Sequence, residues 1–146
     1  MKVVVQKCLE SSVCVDNQVV SSVGNGLMVL VGFTHDDCID DIDYIVKKIV
    51  NLRVFDDENG IMNKSLLDVN GEILCISQFT LYGDCKKGNR PSYIKAMNGP
   101  DAIRLYDLFC DKLNSFIPTK KGVFGADMKV NLINDGPTTI IIDSKK

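Results

Sequence analysis

The residues best suited to chemistry stand together in one stretch, Ser77-Gln78-Phe79-Thr80-Leu81-Tyr82-Gly83-Asp84. It closes the run Glu72-Ile73-Leu74-Cys75-Ile76, which is apolar at both alternating sets of positions and reads as a strand buried on both faces. A buried hydroxyl or amide costs roughly 1–3 kcal/mol unless it finds a partner. Ser77, Gln78 and Thr80 therefore either satisfy neighbouring backbone, as strand-end polar groups do, or line a pocket. Next comes Cys85-Lys86-Lys87-Gly88-Asn89-Arg90-Pro91, a basic loop punctuated by Gly and Pro. Such a cluster is usually a solvated face, but beside a polar strand end a contact with phosphate becomes an equal alternative.

The chemistry must do without the commonest machinery. His35 is the single histidine, and no Ser or Cys forms a recognisable motif with it, so a structural or surface role is expected. One histidine excludes a His-rich zinc site. The six cysteines (Cys8, Cys14, Cys38, Cys75, Cys85, Cys110) form no C-x-x-C pair and read as free thiols of a reducing compartment. No P-loop or Rossmann glycine pattern occurs. Asp56-Asp57-Glu58 could bind a divalent ion, but Asn59-Gly60 follow and mark a solvated hairpin tip. No metal and no cofactor is expected.

A general base contributes about 10²–10⁴-fold, so an enzyme without an evident one suits a substrate that is already activated. Orientation and an oxyanion hole of backbone N–H groups could then suffice. Thr80 is the plausible protein nucleophile here, and a weak one without a base. The second informative place is Gly136-Pro137. Asp-Gly-Pro-Thr is good turn chemistry. The alternative is a cis bond before Pro137, found at only about 5–6% of X–Pro bonds, which would project backbone carbonyls rigidly into a cavity.

These groups need a scaffold. Residues 2–15 are β-rich, and Asp16-Asn17 makes a two-residue turn into a strand over 18–23. Asn25-Gly26 reads as a second hairpin, leading to a central buried strand over 27–31. A helix is expected from Thr34 or Asp36, burying Ile39, Ile42, Ile45, Val46 and Ile49. A short strand is expected over 52–55 and irregular chain over 63–70. Asn98-Gly99-Pro100-Asp101 starts a second helix whose stripe is Ala102, Leu105, Phe109, Leu113 and Phe116. Strands over 128–133 and 139–143 follow, interrupted by Asn134 to Thr138.

Together these predict one domain over residues 1–146. Its class is α+β, a mainly antiparallel, barrel-like sheet with two helices packed on one face. Such a sheet has edges that dimerisation can hide. Hydrophobic content of 45%, charged content of 25% and a net charge of −2 suit a soluble globular protein and argue against a general polyanion binder. No apolar run approaches the roughly 20 residues of a membrane span. No signal peptide is read at the N-terminus, so a cytoplasmic location is expected.

Ser77-Gln78-Phe79-Thr80-Leu81 and Asn134-Asp135-Gly136-Pro137-Thr138-Thr139 resemble the two signature motifs of the D-aminoacyl-tRNA deacylases, the D-Tyr-tRNA(Tyr) deacylase family. The resemblance runs the whole chain, through Val4-Val5-Gln6-Lys7, Leu52-Arg53-Val54-Phe55, Lys87-Gly88-Asn89-Arg90-Pro91-Ser92 and Gly122 to Met128. It implies hydrolysis of the ester joining a D-amino acid, or mischarged glycine, to the 3′-terminal adenosine of tRNA. It implies a homodimer with sites at the subunit interface and a cis Pro137. Gly136 and Pro137 of one subunit would turn L-amino acids away from the other subunit's pocket, with Lys7 and Met128 on the same selecting side. Ser77, Gln78, Phe79 and Thr80 would form the catalytic wall, backbone N–H groups near Phe79 and Thr80 holding the oxyanion. Either the Thr80 hydroxyl attacks, or water does, assisted by the 2′-hydroxyl of the tRNA; the lack of a base favours water. Lys86, Lys87 and Arg90 would meet tRNA phosphates.

Three positions depart from the family pattern: Lys7 for a common arginine, Thr138 for valine and Gly83 for alanine. Two other readings stay open, a non-catalytic dimeric module that binds tRNA or another nucleic acid, and a dimeric interaction protein.

Overall fold

The computed structural model describes residues 1–146, and its sheet is organised around the first strand. Strand β1 (Lys2–Val15) turns through Asp16 and Asn17, at φ 50° and 63°, into β2 (Gln18–Val23). Two successive positive φ values give the mirror-image turn that matches strand twist. β1 also pairs antiparallel with β3 (Gly26–Gly32) along its first half and with β8 (Lys129–Asp143) along most of its length. β6 (Glu72–Ser77) and β7 (Thr119–Lys121) extend the sheet from β3 by parallel pairing. Side chains then link the far strands. Ser21 Oγ donates to Lys121 O at 2.6 Å, and Lys120 Nζ donates to Ser22 O at 2.9 Å. β2 is thereby drawn against β7, and the sheet curls into a nearly closed barrel.

Alternation along the strands feeds two cores. Val3, Val5, Leu27, Val29, Val31, Ile73 and Cys75 face helices α1 (Ile39–Asn51) and α3 (Gly99–Asn114). Met28, Leu74 and Ile76 point the other way and pack with Cys8, Val13 and Val23 inside the barrel. β3 and β6 therefore read as unbroken apolar runs. Tyr106 crosses the helix-side core, and its hydroxyl donates to Cys75 O at 2.8 Å.

The α+β, barrel-like architecture is the expected one, but several local expectations change. The 25–26 turn is not a hairpin. β1 lies between β2 and β3, and neither Asn25 nor Gly26 has a positive φ. Gly26 is glycine because of close approach: a Cβ there would stand 1.9 Å from Glu72 O of the parallel neighbour.

Helix α1 starts four residues after Thr34, at N-cap Cys38, because Asp37 is engaged elsewhere. Its carboxylate accepts from Thr34 N at 2.7 Å and pairs with the N-terminal amine. Ile39 at the first turn is exposed. Phe116 is also exposed, since α3 ends at Asn114 and Phe116 falls beyond its last turn; Tyr106 and Cys110 complete the buried stripe.

Around 52–70 the strand shrinks to β4 (Phe55–Asp56), paired with β5 (Met62–Lys64). One helical turn, α2 (Leu66–Val69), occupies the chain expected to be irregular. Its ends explain it: Ser65 Oγ accepts from Asp68 N while Asp68 accepts from Ser65 N, and Asn70 closes it at φ 51°. The interruption at 134–138 stays within β8 as a bulge. Gln6 pairs with Thr139 and Cys8 with Asn134, so the residues between leave the ladder.

Candidate active site

The polar strand end becomes a corner. β6 stops at Ser77, and Phe79–Tyr82 coils into a single 3₁₀ helix. Gln78 anchors the corner by donating its backbone N–H to Val31 O at 2.7 Å. The first N–H groups of such a helix have no partner within it. Those of Phe79 and Thr80 make no bond to the rest of the chain.

Beside this corner lies a cavity of about 470 Å³. One wall is the end of β3 with Phe33, a second is Ile76 to Phe79, and a third is the start of α3 at Gly99 and Ala102. Phe124 to Met128, with Val130 of β8, close it, and Met97 completes the lining. A mainly apolar cavity with a few polar groups at its rim suits a small side chain attached to a polar reacting group. Asp127 is the only titratable lining residue, and its carboxylate is turned to solvent, paired with Lys129 Nζ at 3.0 Å.

Ser77, Gln78, Phe79 and Met128 are brought together here. Thr80 stands next to the cavity on the exposed side of the 3₁₀ helix, where its hydroxyl accepts a hydrogen bond from Gln78 Nε2. The Phe79 ring is exposed and meets Tyr93 edge-on, centroids 5.0 Å apart. His35 is held by its Nε2 against Ile94 O at 2.7 Å, away from the cavity lining.

Gly136, Pro137 and Lys7 lie apart from this cavity within the same chain. The Gly136-Pro137 bond is cis, and Gly136 has φ 117°. The bulge carrying it is fastened at its base. Asn134 Nδ2 donates to Lys7 O and to Thr138 O, both at 3.0 Å. The buried Lys7 ammonium reaches Asp135 at 3.4 Å and lies over the Phe55 ring at 5.5 Å. Lysine thus ties to the bulge as a point charge, through the residue before Gly136. The basic loop divides: Lys86 lines a separate pocket below the 3₁₀ helix, whereas Lys87 and Arg90 are exposed outside it.

A family model described as D-Tyr-tRNA(Tyr) deacylase matches residues 4–143. The chain belongs to this family. A D-aminoacyl-tRNA deacylase of Clostridium novyi (strain NT) is 56% identical over 147 aligned positions, covering 100% of this chain and 99% of that protein. One from Azobacteroides pseudotrichonymphae is 52% identical, covering 99% and 98%. A solved structure named c-Myc DNA Unwinding Element Binding Protein superposes with TM-score 0.93 at 42% identity, over 98% of each chain. A probable eukaryotic D-amino acid tRNA deacylase shares the fold at TM-score 0.82 and 20% identity, over 97% of each chain.

Sequence reasoning missed Phe33, Met97 and Ala102 as cavity walls, because each reads as ordinary core or loop until the fold joins them. Phe124 carried a signal, as part of the family-like stretch 122–128.

Proposed function

We propose that this deacylase-family chain is an ester hydrolase that removes D-amino acids, and mischarged glycine, from the 3′ end of tRNA. The full-length match to proteins named D-aminoacyl-tRNA deacylase carries the reading. The amino acid side of the substrate enters the apolar cavity, and its ester carbonyl sits against the Phe79 and Thr80 N–H groups. As water attacks, charge develops on that oxygen and the two donors stabilise it without rearranging. The 2′-hydroxyl of the terminal adenosine assists the water. The lining holds no histidine and its one carboxylate, Asp127, faces solvent, which supports this route, since an aminoacyl ester is activated enough not to need imidazole. Thr80 keeps its hydroxyl bonded to Gln78 and shapes the wall.

Chiral selection comes from a second copy of the chain. Gly136 and Pro137 cannot guard their own cavity, from which they stand apart, so a partner's bulge enters it and its carbonyls exclude an L side chain. Glycine, lacking a side chain, passes. Exposed Leu9, Ile133 and Ile141 on β1 and β8 supply apolar surface for such a homodimer. Lys86, Lys87 and Arg90 contact the tRNA backbone.

The test is hydrolysis of D-Tyr-tRNA and L-Tyr-tRNA side by side. The D-ester is cleaved and the L-ester survives; equal rates would sink the reading. The likeness to a structure named as a DNA-element binder favours one alternative, a nucleic-acid-binding module without turnover. It would give salt-sensitive tRNA binding and no ester cleavage.

A further inference from the structure

The 3₁₀ helix Phe79–Tyr82 is a wall shared by two pockets. Gln78 and Phe79 face the apolar cavity; Leu81 and Tyr82 line a second pocket of about 490 Å³. Four lysines surround the second one, Lys2, Lys86, Lys95 and Lys146. None of the four is in an ion pair, whereas Lys112, Lys121 and Lys145 elsewhere are each matched with carboxylates. The one acidic side chain in the lining, Asp84, accepts from Lys86 N at 2.9 Å and keeps its charge, which offsets part of the four.

The pocket is also held in shape. Asp84 and Ser92 exchange two backbone bonds of 2.9 Å across the base of the basic loop. Thr34 Oγ1 fixes Lys95 O at 2.6 Å, and the Lys2 ammonium rests over the Tyr82 ring at 4.9 Å. Lys2 stands opposite Asp143 across the β1–β8 ladder, so the surplus positive charge lies with Lys86, Lys95 and Lys146, and a polyanion is drawn to it.

We propose that Lys2, Lys86, Lys95 and Lys146 form a phosphate pocket for the single-stranded 3′ end of tRNA. The inference rests on the deacylase reading for where the ester lies. A four-residue 3₁₀ helix rises about 8 Å, so a strand leaving the cavity over it meets the lysines within one or two nucleotides. Grip on the nucleic acid and access to the ester are thereby separated by a single turn of backbone. Lys2, Lys95 and Lys146 join Lys86 in this role, while Lys87 and Arg90 lie outside the pocket.

The test compares Lys86→Gln/Lys95→Gln with a control of equal charge change on α1, Lys47→Gln/Lys48→Gln. Binding of uncharged tRNA is titrated across a salt series, and hydrolysis is followed on D-Tyr-tRNA and on the phosphate-free ester D-tyrosyl-adenosine. The pocket variant should bind tRNA about tenfold more weakly, with its salt slope reduced by about 0.7 for each phosphate that the protein no longer neutralises. Its rate on D-tyrosyl-adenosine should stay that of the wild type. The control should leave the tRNA slope unchanged. Binding equal to the control overturns the proposal, and so does an equal loss on the phosphate-free ester. If the wild type cleaves neither ester, the deacylase reading fails while the tRNA slopes still decide the pocket.

Discussion

Gly136 has little room to change. At φ 117° a side chain is strained, and a Cβ would stand 2.7 Å from Thr138 Oγ1 and 3.1 Å from Thr138 N. Gly136→Ala must therefore shift the bulge, at a cost of about 1–3 kcal/mol. The expected result is a lower melting temperature together with a smaller D-to-L ratio of deacylation rates; a ratio equal to wild type would remove the bulge from selection. Thr80 makes the opposite case. With its oxygen already accepting from Gln78 and no base at hand, Thr80→Ala should retain kcat within about tenfold, whereas loss of a true nucleophile costs several orders of magnitude. Single-turnover hydrolysis of D-Tyr-tRNA separates the two. At this scale the sequence was informative, because Ser77, Gln78, Thr80 and Gly136-Pro137 are residue types that a buried strand or a continuous ladder does not otherwise favour. What Lys7 touches was not legible. Its contact with Asp135 depends on the bulge folding back over β1, more than a hundred residues away in sequence.

Among the elements, β3 and β6 set the tightest constraint. The approach of Gly26 to Glu72 O leaves no room for a methyl group, so Gly26→Ala must part the two strands that end at the cavity. A destabilisation of about 1–3 kcal/mol is expected, read by denaturant unfolding with an unchanged m-value. Helix α1 carries a pH-dependent contact. Burial works against the charge of Asp41, yet hydrogen bonds from Ser144, Cys38 N, Lys145 and the Cys38 thiol outweigh it and hold its carboxyl well below the usual range. A carboxyl depressed on folding adds stability that is complete above its unfolded pKa, about 3.9, and is lost as pH falls toward the folded value. Asp41→Asn should thus lower the melting temperature at neutral pH. The gap from wild type should narrow as pH drops from about 5 toward 2, and a pH-independent gap would rule out this linkage.

Elements with strong local chemistry, such as the Asp16-Asn17 turn and the Asn98 cap of α3, could be read directly. The start of α1 could not, because Asp37 is recruited by the N-terminal amine rather than by the helix. The turn α2 had a readable Ser65-x-x-Asp68 box that its shortness concealed.

Across the whole molecule, the cysteines report how the two cores are sealed. Cys8, Cys75 and Cys110 are buried, and burial pushes the Cys8 and Cys75 thiols up, while Cys38 and Cys85 are exposed. A thiol reagent should modify Cys38 and Cys85 rapidly and reach the three buried thiols only on unfolding, as peptide mapping of partly labelled protein would reveal. Early labelling of Cys8 would mean that the barrel opens on its own. Closure of that barrel was not legible in the sequence. It depends on Ser21 and Lys120 meeting backbone carbonyls of chain a hundred residues distant, groups that look like ordinary surface. The 124–128 segment has a further consequence. It forms a side of the apolar cavity and takes no part in the lysine-lined pocket. Exchanging Phe124 or Ala126 for bulkier or smaller side chains should therefore retune which amino acid is accepted, leaving tRNA grip to a part of the protein that can vary separately.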